Sequence, residues 1–422
     1  MIKLFKKYPI FKNVLTMLSS SSVSQVIPFV TAPVLTRLYS PSDFGLYEIY
    51  YSIMTIFVVI PNLRLENAVL IEKDDNKSVN IFFICILSNL FFLLLGLIAI
   101  FILDTAIVEF YDLEVNSTKW LYFIPVGMFL SSTYNLFSLW LVRYEKYKGL
   151  SINRILLTVS NALIQISFGL LFFGFKGLIY GNVLSYFLSL ILMGYSCIKI
   201  LNVISFKLNK KDFIDGLRSN KDFIFYTLPG DFINGFANQL PTLLIGKYFN
   251  SASLGYYSMA RRIVGLPLGF ISGAIQDVFK KESTNEYNEK GTILKTYKVT
   301  FLILLVFGMF LVGGIYIFGD TLITLFLGIN WEPSIPIIKI LSVLFVLKFI
   351  SGTLNFVFLI RGKQKLDLYF QFLQLIVVLI TFNLSKSFGF NFYETILFYV
   401  IIISGYSMLN LKYSYKYAKF SE

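Results

Sequence analysis

The sequence contains no histidine, which is the residue that proteins use most often as a general base and as a metal ligand. It contains only two cysteines, Cys85 and Cys197, and each lies inside an apolar run without metal-ligand spacing. We therefore predict no catalytic residues, no metal site, no cofactor and no disulfide framework. The two thiols are interpreted as packed core side chains.

Charge is also scarce, since only 14% of the residues are charged, against roughly 25% in a soluble domain. Apolar residues make up 56% of the chain. A chain of this composition could not cover its own apolar surface in water, so its natural solvent is lipid. This excludes soluble enzymes and soluble binding modules.

The charge that is present is unbalanced, with 37 basic and 24 acidic residues. A basic excess can indicate nucleic-acid binding. Here, however, the basic residues form short clusters between apolar runs, which is typical of the cytoplasmic loops of membrane proteins. We therefore expect membrane lipid, and not nucleic acid, to surround this chain.

Apolar runs of the length needed to cross a bilayer, about 20 residues, recur along the whole chain. They predict an all-α integral membrane protein with about 12 transmembrane helices. The predicted spans are 14–36, 44–62, 79–103, 119–142, 152–174, 177–199, 223–247, 254–278, 298–319, 334–359, 367–388 and 393–413.

The positions of the basic residues predict the orientation. If the N-terminus is cytoplasmic, 28 of the 37 Lys and Arg residues lie in, or at the edge of, cytoplasmic segments, and 5 lie at the opposite side. Cytoplasmic loops carry an excess of Lys and Arg. Both termini are therefore predicted to be cytoplasmic.

The longest polar stretch between spans divides the chain into halves of six spans each. We predict an N-terminal lobe at 1–201, a cytoplasmic linker at 202–222 and a C-terminal lobe at 223–422. The linker mixes apolar and basic residues, so it is either a short helix at the membrane interface or a plain connection.

The two halves resemble each other. RLYSPSDFGLY (37–47) pairs with KYFNSASLGYY (247–257), so that Gly45 meets Gly255 after 210 residues. RYEKYK (143–148) and IRGKQK (360–365) also occupy equivalent places between spans. Six spans per half keep both halves in one orientation, as in parallel repeats around a central cavity. Arg37 opens the first of these segments and is a candidate gate or ion-pair residue.

Charged side chains inside predicted spans are expensive in lipid and should face protein or water. Lys348 lies near the middle of its span and is our first candidate for a binding role. Arg262 and Arg261 lie about two turns below the predicted outer end of another span, and Lys339 lies close to the outer surface. Arg and Lys bind phosphate through charge-assisted hydrogen bonds, so these cations predict an anionic substrate. For Lys348 the alternative is a structural ion pair, and for Arg261 it is a side chain that reaches outward to water.

One predicted span is unusually polar. Asp231 is interpreted as the one acidic residue well inside a span, where it either pairs with a basic residue or carries a coupling proton. Asn234 and Asn238 continue the same span and are expected to line the substrate path.

Several segments resemble, in order and spacing, the Wzx-type O-antigen and polysaccharide flippases of the multidrug/oligosaccharidyl-lipid/polysaccharide exporter superfamily. These segments are LTRLYSPSDFGLYEIYYSI (35–53), RLENAVLIEKDD (64–75), RYEKYKGLSINRI (143–155), QLPTLLIGKYFNSASLGYYSMARRIVGLPLGFISGAIQDVF (239–279) and NWEPSIPIIKILSVLFVLKFISGTLNFVFLIRGKQK (330–365). Together they cover almost the whole chain.

The resemblance implies two six-helix lobes with a cationic lumen in a bacterial inner membrane. It implies movement of an undecaprenyl-diphosphate-linked repeat unit from the cytoplasmic to the periplasmic leaflet, as in lipopolysaccharide O-antigen synthesis. A polysaccharide polymerase and chain-length proteins are further expected partners.

The resemblance can also be followed residue by residue. The family's basic residues match at Arg262, Lys348 and Lys339, whereas the family has neutral polar residues at Arg261 and Asp231. Arg64 and Glu66 match a charged pair at the inner end of the second span. That pair is either structural or part of a cytoplasmic gate.

Three alternatives remain open at this point. A drug or cation antiporter of the same superfamily would need carboxylates deep in its lumen, and Asp231 is the one candidate. A membrane polymerase or glycosyltransferase would need a large outer loop or an acidic sugar-nucleotide site, and the sequence shows neither. A flippase for a peptidoglycan precursor would share the diphosphate and therefore the cationic cavity.

Overall fold

The computed structural model describes residues 9–112, 115–202, 204 and 210–419. These residues are helical apart from turns and short connections. They divide into two compact units. The boundary between the units falls inside two helices, so each of these helices belongs partly to one unit and partly to the other.

The first unit comprises the described residues up to Tyr39 together with Leu46–Gly235. Its helices are α1 (Pro9–Leu38), α2 (Pro41–Phe57), α3 (Glu66–Ile71), α4 (Asp75–Phe110), α5 (Phe123–Arg143), α6 (Tyr147–Leu170), α7 (Phe175–Leu201) and α8 (Lys210–Ser219). Phe82 of α4 and Trp140 of α5 pack together at its centre, with ring centroids 4.7 Å apart.

The second unit comprises Ser40–Gly45 and the described residues from Phe236 onward. Its helices are α9 (Leu228–Tyr248), α10 (Ser251–Lys290), α11 (Leu294–Leu327), α12 (Ser334–Leu354), α13 (Phe356–Ile360), α14 (Gln364–Ser387) and α15 (Phe392–Lys419). The first turn of α2 therefore belongs to the second unit, and the rest of α2 belongs to the first. The first two turns of α9 belong to the first unit, and the rest of α9 belongs to the second.

Polar residues set the ends of the long helices. The Asp74 carboxylate accepts a hydrogen bond from the Asn76 backbone N–H (2.8 Å) at the start of α4, and Asn250 Oδ1 accepts one from Ser253 N–H (2.8 Å) at the start of α10. Gly291 ends α10 with a φ of +65°, a left-handed conformation that glycine adopts without strain.

Each of the predicted spans overlaps a helix, although the helix over 44–62 ends at Phe57 and the one over 119–142 begins at Phe123. Among the described residues, seven helices are long and apolar enough to cross a bilayer. They are Asp75–Phe110, Phe175–Leu201, Ser251–Lys290, Leu294–Leu327, Ser334–Ile360, Gln364–Ser387 and Phe392–Lys419.

Large apolar side chains lie exposed on several of these helices. Phe101 of α4 is 73% exposed, and Phe310 and Ile317 of α11 are exposed to a similar degree. Contiguous apolar surface of this kind is not stable in water, and it suits hydrocarbon. The chain is a multi-pass membrane protein.

The division into units falls inside α9, after Gly235, and not in the segment 202–222. The first turns of α9 belong to the first unit because Asp231 pairs there with Arg64 and Phe232 packs on Phe57. Within 202–222 the structure shows the short helix α8, which packs on α4; residues 203 and 205–209 lie outside the described residues.

The two segments singled out as repeats share local geometry. Glu145 and Gly362, which are 217 residues apart, both have positive φ (+54° and +64°) in turns with the same backbone hydrogen bonds. Gly45 and Gly255 make reciprocal close contacts, because a Cβ on Gly45 would lie 1.8 Å from the carbonyl oxygen of Ser251 and one on Gly255 would lie 1.9 Å from that of Pro41. Only a residue without a side chain fits at either position.

Candidate functional site

Arg261 of α10 occupies a polar site within the second unit. Its Nη1 donates hydrogen bonds to Gln239 Oε1 (2.9 Å) and Thr242 Oγ1 (3.2 Å), both on α9. These two neutral acceptors fix the position of the guanidinium.

Lys348 of α12 lies close enough to Arg261 for the two positive charges to interact. It is only partly exposed, and among the described residues no carboxylate lies within ion-pair distance of it. Two neighbouring like charges repel each other. An anion bound between them would remove that repulsion.

Two tyrosines complete this group of side chains. Tyr399 of α15 lies near Arg261, and its hydroxyl is hydrogen-bonded to Tyr257 of α10. Phenolic O–H groups can donate hydrogen bonds to phosphate oxygens. We call Arg261, Lys348, Tyr257 and Tyr399 the cationic cluster.

Arg262 points in a different direction from its neighbour, as expected for consecutive residues on a helix. Its guanidinium lies over the ring of Phe44, 5.7 Å from the centroid. Phe44 is buried and meets the edge of Trp331 at 5.2 Å. Arg262 is therefore a half-buried cation on an aromatic support, beside the cationic cluster rather than in it.

Lys339 differs from Lys348 although both lie on α12. Its Nζ is 2.7 Å from Asp320 Oδ1, and the Asp320 side chain is largely exposed. Its charge is thus already balanced by a carboxylate. Of the predicted cations, the structure brings Arg261 and Lys348 together and places Lys339 in a separate ion pair.

The first unit has a charge cluster of a different kind. Arg64 Nε lies 2.7 Å from Asp231 Oδ2, and Arg64 Nη1 lies 3.3 Å from Glu66 Oε1. Glu66 is buried, and this burial raises the pKa of its carboxyl group, while Arg64 opposes the shift. One cation thus lies between two carboxylates, and the group carries no excess positive charge.

Asp231 is paired with Arg64, and its side chain is 38% exposed. This contact corresponds to the ion-pair alternative for Asp231. A second acidic residue within a predicted span is Glu48 of α2, which is 1% exposed and which the sequence reading missed. A glutamate in the apolar run DFGLYEIYYSI was the available signal.

The remaining predicted residues lie at helix surfaces. Asn234 and Asn238 are exposed and, with Asp231, follow one face of α9 at helical spacing. Arg37 is exposed at the end of α1, where its Nη1 donates a hydrogen bond to the Pro33 carbonyl oxygen (2.6 Å). That contact caps the helix C-terminus.

Residues 34–336, well over half of the chain, match the model of a family described as polysaccharide biosynthesis protein. The chain belongs to this family. The assignment to a polysaccharide family, which the sequence segments indicated, is thereby confirmed.

Curated relatives of this family member agree with the assignment. The chain is 27% identical over 162 residues to the teichuronic acid biosynthesis protein TuaB of Bacillus subtilis (strain 168), which covers 37% of this chain and 33% of that protein. It is 22% identical over 332 residues to the succinoglycan biosynthesis transport protein ExoT of Rhizobium meliloti (strain 1021), covering 75% of this chain and 62% of that protein. The matched regions are thus less than two thirds of either relative.

Solved structures identify the fold. A multidrug resistance MATE family transporter of the MOP superfamily, in an inward-facing conformation, matches with a TM-score of 0.70 over 92% of this chain and 93% of its own. The lipid II flippase MurJ, in an inward closed conformation, also gives 0.70, over 96% and 90%. Both are 14% identical to this chain, so they confirm the all-α membrane transporter fold alone.

Proposed function

We propose that this protein flips an undecaprenyl-diphosphate-linked polysaccharide repeat unit, such as an O-antigen unit, from the cytoplasmic to the periplasmic leaflet of a bacterial inner membrane. The observation that carries the proposal is the cationic cluster, in which Lys348 and Arg261 lie together and Lys348 has no carboxylate partner among the described residues. Membership of a polysaccharide biosynthesis family supplies the class of cargo.

The chemistry of the cluster suits a diphosphate. Arg261 offers several N–H donors in a fixed plane, and Lys348 offers a compact ammonium group. Charge-assisted hydrogen bonds from both would balance the negative charges of the headgroup. Arg262 adds a third cation on the same helix as Arg261, while the polyprenyl tail remains in lipid.

Transport by this route changes no covalent bond. The protein alternates between states open to the cytoplasmic and to the periplasmic leaflet, and the sugar and diphosphate cross while they are shielded from hydrocarbon. Arg64, with Glu66 and Asp231, is proposed to stabilise the cytoplasmic end of the first unit as a gate or structural ion-pair group. Arg37 is likewise proposed to act as a gate or ion-pair residue at the end of α1.

A drug or cation antiporter is the alternative within the same fold, since a MATE transporter matches the structure as well as MurJ does. The cationic cluster opposes it, because two neighbouring positive charges repel a cationic drug. A peptidoglycan-precursor flippase is the other alternative, because its cargo carries the same diphosphate.

The decisive experiment is deletion of the gene in its native strain followed by complementation. Wild type, Lys348→Ala and Arg262→Ala would be expressed at equal membrane levels, with Lys339→Ala as the matched control from the same helix. We expect surface polysaccharide to be lost on deletion, with lipid-linked repeat units trapped on the cytoplasmic side. Wild type and Lys339→Ala should restore the polymer, and Lys348→Ala and Arg262→Ala should not.

Each alternative predicts a different result. Normal polymer in the deletion strain, with no second flippase gene present, would overturn the proposal. Increased drug susceptibility with intact polymer would favour the antiporter. Cell lysis with accumulated peptidoglycan precursor would favour the third function.

A further inference from the structure

The first unit contains a cluster of tyrosines from three helices. Tyr47 and Tyr51 of α2 stack with ring centroids 5.9 Å apart, and Tyr134 of α5 meets Tyr186 of α7 edge to face at 5.7 Å. Tyr186 lies close enough to Tyr47, Tyr51 and Tyr134 for electrostatic interaction with each of them. The four side chains therefore form one group.

The members of this group differ in exposure. Tyr47 and the neighbouring Tyr50 are buried, and the Tyr50 hydroxyl donates a hydrogen bond to Asn182 Oδ1 (3.1 Å), so both residues serve packing. Tyr51 and Tyr186 remain partly exposed although helices pack around them. Their surfaces are the part of the cluster that a ligand can reach.

The chemistry of these side chains differs from that of the cationic cluster. A tyrosine presents an apolar ring face and a hydroxyl that both donates and accepts hydrogen bonds. A sugar presents a face of C–H groups and a rim of hydroxyls, which complement the ring and the phenol. Arg154 of α6 lies near Tyr134.

One pair of corresponding positions in the internal repeat shows the same contrast between a tyrosine and a cation. Tyr51 and Arg261 are 210 residues apart, the spacing that relates Gly45 to Gly255. The first unit thus presents a phenol where the second presents a guanidinium. An uncharged part of a ligand is better accommodated by the phenol, and a phosphate by the guanidinium.

We propose that Tyr51 and Tyr186 form a carbohydrate subsite, which binds sugar residues of the transported lipid-linked unit. This inference rests on the proposed function and names the residues that recognise the glycan part of its substrate. It predicts that the first unit binds the uncharged sugar part of the substrate.

The test compares two probes on the purified full-length protein in lipid nanodiscs. One probe is undecaprenyl diphosphate without sugar, and the other is the lipid-linked repeat unit extracted from the deletion strain. Tyr51→Leu and Tyr186→Leu should each weaken binding of the glycosylated probe about tenfold, since a lost aromatic contact and a lost hydrogen bond together amount to about one decade in affinity. Binding of the bare diphosphate should not change.

Tyr195→Leu is the matched control, because Tyr195 also lies on α7 but is 65% exposed and stands outside the cluster. It should leave both affinities unchanged. Tyr51→Phe and Tyr186→Phe keep the ring and remove the hydroxyl, so they test the subsite with folding preserved, and each should weaken the glycosylated probe about threefold.

The outcomes separate the subsite from the function. Equal weakening of both probes by the tyrosine variants, or no weakening of either, would overturn the subsite. Wild-type protein that binds both probes equally well would also overturn it and leave the diphosphate site standing. Wild-type protein that binds neither probe would overturn the proposed function and the subsite together.

Discussion

Corresponding positions in the two units carry different chemistry within similar backbone geometry. At a spacing of 210 residues, Tyr51 corresponds to Arg261, and at the 217-residue spacing of the two matching turns, Ser131 corresponds to Lys348. Ser131 uses its hydroxyl for a backbone carbonyl of its own helix, that of Gly127. At this pair of positions the first unit therefore has a hydroxyl that is satisfied within its own helix, whereas the second unit has a cation that can meet a bound anion.

This comparison shows which features of a repeat are fixed by packing and which are free to diverge. Gly45 and Gly255 are the same residue because the backbone of the opposite helix leaves no space for a side chain at either position. Partly exposed side chains, such as Tyr51 and Arg261, are less constrained by packing and can differ between the units. Corresponding residues that differ between the units are expected to serve function, and those that are identical are expected to serve stability.

The strongest test of the shared geometry is to add a side chain at the glycine contact. Gly45→Ala and Gly255→Ala should each destabilise the protein by about 3 kcal/mol or more, because the new Cβ collides with a backbone oxygen that cannot turn aside. The two variants should behave alike. The measurement is the melting temperature of the detergent-solubilised protein, with Gly235→Ala, which has nothing within 4 Å, as control. A wild-type melting temperature in either variant would contradict the reciprocal contact.

The next test removes the cation that the second unit has at the position corresponding to Ser131 of the first unit. Lys348→Ala should weaken binding of undecaprenyl diphosphate about 10- to 100-fold, since a charge-assisted hydrogen bond contributes about 1.5 to 3 kcal/mol. The free protein should not lose stability, because the variant removes a partly buried charge that repels Arg261. Binding by titration and melting temperature together check this prediction. A large fall in melting temperature would instead assign Lys348 a structural role.

A smaller effect is expected at the charge cluster of the first unit. Arg64→Ala should destabilise the protein by about 1 to 2 kcal/mol, because it leaves the buried Glu66 without its counterion, although Arg64 is itself partly exposed. Asp231→Asn should cost less, since Asp231 is 38% exposed and water can solvate the arginine that remains.

The pH dependence of that loss checks its cause. Burial already raises the pKa of Glu66, and removal of Arg64 should raise it further. The destabilisation should therefore be present where Glu66 is ionised and should shrink as the pH falls through its pKa. The double variant Arg64→Ala/Glu66→Gln should recover most of the stability at neutral pH, and failure to recover would locate the effect elsewhere.

The smallest effect sharpens the contrast within one helix. Lys339→Ala should change stability by less than about 1 kcal/mol, because it breaks an ion pair whose acidic partner is 68% exposed. Diphosphate binding should stay at the wild-type level. Loss of binding comparable to that of Lys348→Ala would mean that α12 contributes two cations to the site instead of one.

The helices could be predicted from sequence because each apolar run needs only its own composition and length to be recognised. The ends were harder. The predicted span 254–278 is part of a longer helix, Ser251–Lys290. The polar segment KKESTNEYNEK continues this helix, and a search for apolar runs does not detect such a segment. The mixture of apolar and basic residues in the linker was compatible with the short helix α8 but equally with a plain connection.

The site was predictable in its charges and unpredictable in its pairings. Lys348 and Arg261 stood out as cations in apolar runs, yet no local pattern places them beside each other. The contacts of Arg64 with Asp231 and of Lys339 with Asp320 also depend on the packing of separate helices. Sequence periodicity therefore could not show which cations are neutralised by a carboxylate.

The sharing of α2 and α9 between the units limits how this protein can be divided in the laboratory. A break in the segment 202–222 gives fragments at the obvious hydropathy boundary, but the second fragment then carries Asp231 and the first keeps Arg64. The first fragment likewise keeps Ser40–Gly45, which the second unit needs. Neither fragment is a complete folding unit, so the two pieces are expected to accumulate only when they are produced together in one cell.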